Sequence, residues 1–175
     1  MNIKNDVKFI TLTNDGYIDF TLNCLKSLDL INSEYKLNCF CIGNECYDKL
    51  KANKYSSTLL DYEKIEDTEL NNYRKGNWHN VTKRKLNILY NELKNNDFVC
   101  ITDGDIIFLN KDFMSFCLDY IQDNDFVIQN DSLSDSNNDN LCSGFMFIRS
   151  NKKTLDLFNP ENVNGLAKLG WDDQK

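Results

Sequence analysis

Asp103-Gly104-Asp105 is the stretch of this chain with the most chemistry in it. Its two carboxylates stand one residue apart, so on an extended chain they leave from the same side. The tripeptide directly follows Phe98–Thr102 (FVCIT), a continuous apolar run of the kind a parallel sheet buries on both faces. In open α/β sheets ligands bind outside the carboxyl ends of the strands, which is where these residues fall. Like charges this close are costly unless a cation lies between them. Mg2+ or Mn2+ is the fitting partner, because a hard divalent ion takes carboxylates together with phosphate oxygens and water. The central glycine lets the backbone approach a ligand closely. Taken alone, the tripeptide also reads as an ordinary acidic turn. It is not an EF-hand, because the DxDxDG pattern and its closing Glu are missing.

A basic run, Lys83-Arg84-Lys85, opens the helix expected over Thr82–Asn95. Cations there oppose the positive end of the helix dipole, which suits a helix start presented to an anion. Solvated surface cations are the equally natural alternative for any one of the three. On a helical wheel Lys85 leans towards the apolar stripe Leu86, Leu89, Tyr90 and Leu93, so it is the one expected to face inwards. Ser143-Gly144 opens an apolar strand and reads either as a sugar-pocket lining or as a plain strand start. Asp172-Asp173-Gln174 is a polar cluster beside Trp171, readable as a site or as a frayed terminus. His79, next to Trp78, reads as a loop residue rather than a metal ligand.

The elements that must position these groups alternate in type. Val7–Thr13 is a buried strand ending at Asn14-Asp15-Gly16, and Tyr17–Leu30 a helix. Leu37–Ile42 is a strand, Asn44–Lys51 a short helix after Gly43, and Ser57–Tyr62 a weaker strand. Glu63–Asn80 is polar and non-periodic and reads mainly as loop. After the Asp103–Asp105 turn come apolar Ile106–Leu109, a helix Phe113–Ile121 and a strand Phe126–Gln129. Asn130–Asn140 has one apolar residue in eleven and reads as a mobile loop. Cys142–Arg149 returns as a strand, followed by a helix Lys152–Phe158 ending near Pro160. Strands alternating with helices predict one α/β sandwich with a largely parallel sheet.

Composition removes whole classes of function. The 175 residues suit a single domain, and 41% hydrophobic with 12% aromatic content argues against disorder. Twenty basic against 27 acidic residues leave a net charge of −7, unlike a nucleic-acid binder. One His rules out a His-rich zinc site. Seven cysteines without a CxxC pair, several inside apolar runs, predict reduced core thiols in a cytoplasmic protein. Neither a secretory h-region nor a membrane-spanning run is legible.

Taken in order, FITLTN, KRKLNILYNEL running into FVCITDGDIIFL, LCSGFMFIRSN and the closing DDQ resemble a GT-A fold glycosyltransferase. The group is that of the nucleotide-diphospho-sugar transferases of the family 77 type. The resemblance spans nearly the whole chain and implies a Rossmann-like three-layer α/β/α sandwich with a mostly parallel, mixed central sheet. It implies a metal-dependent transferase that takes a sugar from a nucleotide-sugar donor, UDP-sugar by default, to a glycan or glycoprotein acceptor with retention of configuration. Thr11, Thr13 and Asn14 would lie along the base and ribose. Lys85 would meet the nucleotide part of the donor. Asp103 would bind the ribose or the metal's water shell, and Asp105 would ligate Mn2+ (or Mg2+) bridging the donor phosphates. Ser143 and Gly144 would flank the sugar, and the catalytic pair Asp173 and Gln174 would reach the sugar and the acceptor.

Many relatives continue beyond the DQ motif and supply further acceptor-side residues and a metal ligand. This chain stops one residue after Gln174, as a minimal or truncated domain, and its third protein ligand stays unassigned. Two rival readings follow. A nucleotidyltransferase of the same fold would want a glycine-rich phosphate loop near the first strand, which is not there. The other is a GT-A-like module that binds nucleotide or glycan without turnover.

Overall fold

The computed structural model describes residues 7–31, 34–61, 64–70, 75, 78–132 and 141–168. Alternation along its strands builds two cores. In β1 (Val7–Asn14), Phe9 faces one side of the sheet and Ile10 the other, and both are buried. In β4 (Phe98–Thr102), Cys100 shares the side of Phe9, while Val99 and Ile101 share that of Ile10. The Phe9 side is covered by α1 (Ile18–Leu30), α2 (Asn44–Ala52) and α4 (Phe113–Tyr120), through residues such as Leu25, Leu50 and Met114. The Ile10 side is covered by α3 (Trp78–Leu93) through Leu89 and Leu93, and by Leu155 of α5 (Lys152–Leu157). That is the expected three-layer α/β/α sandwich.

With β2 (Leu37–Ile42), β3 (Ser57–Leu60), β5 (Phe126–Asn130) and β6 (Leu141–Arg149), the sheet has the order β3-β2-β1-β4-β6-β5. The pairs β1–β2, β2–β3 and β1–β4 are parallel, whereas β6 runs antiparallel to both β4 and β5. The chain builds outwards from β1 through β2 to β3, then returns to place β4 on the other flank of β1. The strand order therefore reverses between β1 and β4, and the crevice at their carboxyl ends is the place where such sheets bind ligands.

Three local readings are corrected. The segment expected as loop holds a 3-10 turn at Ile65–Thr68, and α3 begins at Trp78, four residues before the expected Thr82. The Trp78 amide donates to the Lys75 carbonyl, immediately ahead of the helix. His79 accordingly lies exposed on that first helical turn, its ring against Trp78. Lys83-Arg84-Lys85 lie beyond the first turn, so the dipole penalty expected for a helix start largely disappears. Pro160 does not merely mark an end: it opens α6 (Pro160–Lys168), where the Asn159 side chain accepts from the Glu161 amide. Proline suits a first helical position because its missing N–H would be unpaired there anyway. β3 ends at Leu60, and most of the expected loop over Asn130–Asn140 falls outside the described residues.

All seven cysteines are free thiols, six of them buried. Among the described residues no helix is long and apolar enough to cross a membrane. Gly43, between β2 and α2, has φ +118°, and a side chain there would overlap the Asp15 carboxylate. That carboxylate caps α2, with Oδ1 accepting from the Cys46 amide at 2.8 Å. The turn after β1 is thus tied to the turn after β2, which stiffens one wall of the crevice.

Candidate functional site

Asp103 is the first residue past β4, half-exposed at the rim of the β1–β4 crevice. Its backbone amide donates to the Gly144 carbonyl at 2.8 Å, which prolongs the β4–β6 ladder past Thr102–Phe145. On the other edge of β6 the ladder breaks: Ile128 pairs with Met146, but Gln129 pairs with Cys142. Ser143 and Gly144 lie within this irregularity, the kind of interruption that re-aims side chains beside a site. One carboxylate oxygen of Asp103, Oδ2, looks towards Gly144, where an added Cβ would stand 3.5 Å from it.

Lys85 reaches this point from α3, facing inwards as the wheel places it. Its Nζ donates to Asp103 Oδ1 at 2.7 Å, to the Ser143 carbonyl at 2.8 Å and to Ser143 Oγ at 3.2 Å. The residue is only 5% exposed. An ammonium has three donors, and three acceptors meet it here. A buried cation satisfied in this way is a fixed positive charge at the mouth of the crevice. Lys83 is exposed, so for it the surface reading holds.

Asp105 is exposed and is held by a different kind of partner. The Tyr17 hydroxyl donates to its Oδ2 at 2.7 Å, spanning the crevice from the turn after β1 to the turn after β4. Burial, this bond and the charges of Asp105 and Asp103 push the Tyr17 phenol well above its usual range, so it stays a proton donor at neutral pH. Gly104, between the two carboxylates, lies against α1: a Cβ there would overlap the Thr21 hydroxyl. That hydroxyl is engaged with Thr13 Oγ1 at 2.8 Å and cannot move away cheaply. Gly104→Ala is therefore expected to destabilise the fold by about 1–3 kcal/mol, lowering Tm by roughly 2–4 °C for each. An unchanged melting curve would show that the turn is not docked on α1.

The three β1 residues are placed at the crevice but turned in different ways. The side chains of Thr11 and Thr13 are buried on the face covered by α1. Thr11 is in register with Cys39 of β2 and Thr102 of β4, whereas Thr13 is in register with Cys41 of β2 and lies beyond the end of the β4 pairing. Asn14 Nδ2 donates to the carbonyls of Asp67 at 3.0 Å and Glu69 at 2.7 Å, strapping that segment over the end of β1. Arg84 completes the strap, its Nη1 donating to the Asp61 carbonyl at 2.6 Å and its Nη2 to Asp67 Oδ2 at 3.3 Å. Sequence reasoning singled out Arg84 only within the basic run and did not name Asp67 or Tyr17 as site residues. Asp173 and Gln174 lie outside the described residues.

Among the described residues no group of three or more His, Cys, Asp or Glu could hold a metal. The pair Asp103 and Asp105 nevertheless fits Mg2+ or Mn2+, which one or two carboxylates hold when ligand phosphates and water complete the shell. The arrangement combines a fixed cation, two carboxylates and a strand-end crevice. It is suited to receiving a phosphate-bearing ligand whose charge a bridging cation would balance.

The family model described as nucleotide-diphospho-sugar transferase matches residues 40–175. UDP-galactose:fucoside alpha-3-galactosyltransferase of Dictyostelium discoideum is 29% identical over 98% of this chain. The chain spans 30% of that protein's length. The crystal structure of the galactosyltransferase LgtC with donor and acceptor sugar analogs superposes with a TM-score of 0.63 at 16% identity. It covers 95% of this chain and 68% of that one. An active-site mutant of LgtC gives 0.64 at 13% identity, covering 96% and 65%. At such identities the likeness establishes the fold, which is the GT-A fold the sequence resemblance implied.

Proposed function

Because this chain belongs to the nucleotide-diphospho-sugar transferase family, we propose that it transfers a sugar from a nucleotide-sugar donor to a glycan or glycoprotein acceptor, using a divalent cation held by Asp103 and Asp105. The observation that carries this reading is the buried Lys85, hydrogen-bonded to Asp103 and Ser143 beside Asp105 at the β1–β4 crevice. UDP-galactose is the first donor to test and a fucoside the first acceptor, on the strength of the Dictyostelium relative's name. Transfer with retention of configuration is the outcome favoured by the family 77 resemblance. The free thiols fit a reducing compartment such as the cytoplasm.

In this reading each group has one task. A bound Mn2+ or Mg2+ would supply Lewis acidity to the leaving diphosphate. Asp105 would hold that cation, and Asp103 would orient the ribose or the cation's water. Lys85 keeps Asp103 in one rotamer and adds positive potential where the leaving phosphate gathers charge, with no reorganisation during the reaction. The end of β1, with Thr11, Thr13 and Asn14, lines the base and ribose. Ser143 and Gly144 border the sugar, while Asp173 and Gln174 steady the sugar and place the acceptor hydroxyl.

The test is a panel of UDP-, GDP- and other sugar nucleotides with and without Mn2+, read first by thermal shift. Binding at a concentration 100 times Kd stabilises by about 2.7 kcal/mol. The expected result is a shift with UDP-sugars that needs Mn2+, followed by UDP release and, with a fucoside, a retained glycosidic product by NMR. A chain that no sugar nucleotide stabilises would overturn the proposal. UDP binding with neither hydrolysis nor transfer would favour the non-catalytic module instead.

A further inference from the structure

The two carboxylates of the Asp103–Asp105 turn are held by chemically different partners. Asp103 receives a hydrogen bond from a buried cation, which offsets its charge. Asp105 receives one from a neutral phenol, which orients the carboxylate and leaves its charge intact. From this asymmetry we infer that Tyr17 is the positioning residue that presents Asp105 to the divalent cation. The inference rests on the metal-dependent reading above.

Tyr17 is built for the task. Its carbonyl accepts from Thr21 Oγ1 at 3.3 Å, its ring lies 4.9 Å from that of Phe20, and Gly104 closes over its edge. The first turn of α1 therefore holds the Tyr17 ring and main chain, and the turn that carries Asp105 packs against that ring through Gly104. An exposed aspartate on a tight turn otherwise samples several rotamers, and freezing one of them before the cation arrives removes an entropic cost of binding. Groups that orient a metal ligand commonly contribute 10- to 100-fold to metal affinity.

Tyr17→Phe keeps the ring and deletes the hydroxyl. Mn2+ uptake is followed by loss of the free-ion EPR signal, with protein at saturating UDP. The expected result is an apparent Mn2+ affinity weaker by about 10- to 100-fold. The Tm should shift by no more than about 4 °C, and most of kcat should return at saturating Mn2+. In an Asp105→Asn background the same substitution should change Mn2+ uptake by less than about twofold, because the group it positions is already disabled. Wild-type affinity in Tyr17→Phe, beside a wild type that takes up Mn2+, overturns this inference and leaves the transferase reading standing. Equal losses from Tyr17→Phe in both backgrounds would also overturn it, by showing a merely structural role. A wild type that takes up no Mn2+ overturns both.

Discussion

Asp105→Asn should fold like the wild type and lose donor turnover by about 10³-fold or more. The side chain is exposed and lies outside both cores, so replacing one carboxylate oxygen by an amide leaves the packing untouched. The amide oxygen still accepts from Tyr17, which preserves the local geometry. What disappears is the negative charge that would hold the cation against the donor diphosphate. Lewis-acid stabilisation of a leaving phosphate contributes several kcal/mol, and each 1.36 kcal/mol is about tenfold in rate. The measurement is UDP release at saturating donor across a Mn2+ titration, with thermal denaturation as the control for folding. Turnover within tenfold of the wild type would remove Asp105 from the metal site.

Lys85→Met should have the next largest effect, and of a different kind. Methionine fills much of the same buried slot, but Asp103 and Ser143 lose the ammonium that joins them. A buried carbonyl left without its donor costs about 1–3 kcal/mol, so some stability is lost. The share from Asp103 is smaller, because its side chain is 42% exposed and water can take over. Activity should fall further than stability does, by about 10²- to 10³-fold in kcat, as when a preorganised electrostatic donor is removed. Lys85→Arg tests the geometry: it keeps the charge but brings a planar fork into a site shaped for a point charge. Recovery of most of the activity in the arginine variant would show that charge matters there and the three-acceptor geometry does not. A methionine variant with wild-type kcat would place Lys85 outside catalysis altogether.

Short, mostly apolar and β-branched runs such as FVCIT, LNCFCI and VKFITLT are strands because most of their side chains lose by facing water, and the structure has them where the pattern puts them. Helices with a long apolar stripe were equally legible. What failed was the polar stretch before Thr82, where the 3-10 turn and the first turn of α3 are made by backbone hydrogen bonds and the Asn14–Asp67–Arg84 strap. Partners more than fifty residues apart leave no local periodicity to read.

By itself the sequence determined the α/β class, the position of Asp103 and Asp105 at a strand end, and the inward aim of Lys85. These follow from burial and from helical and strand periodicity, both properties of neighbours along the chain. The tertiary structure alone decided that β1 and β4 lie side by side, so that Tyr17 meets Asp105 across 88 residues and Lys85 meets Ser143 across 58. It also decided that the two carboxylates differ, one offset by a cation and one oriented by a phenol. A pair of carboxylates alike in type becomes asymmetric because the turn before α1 stands against Asp105 and α3 against Asp103.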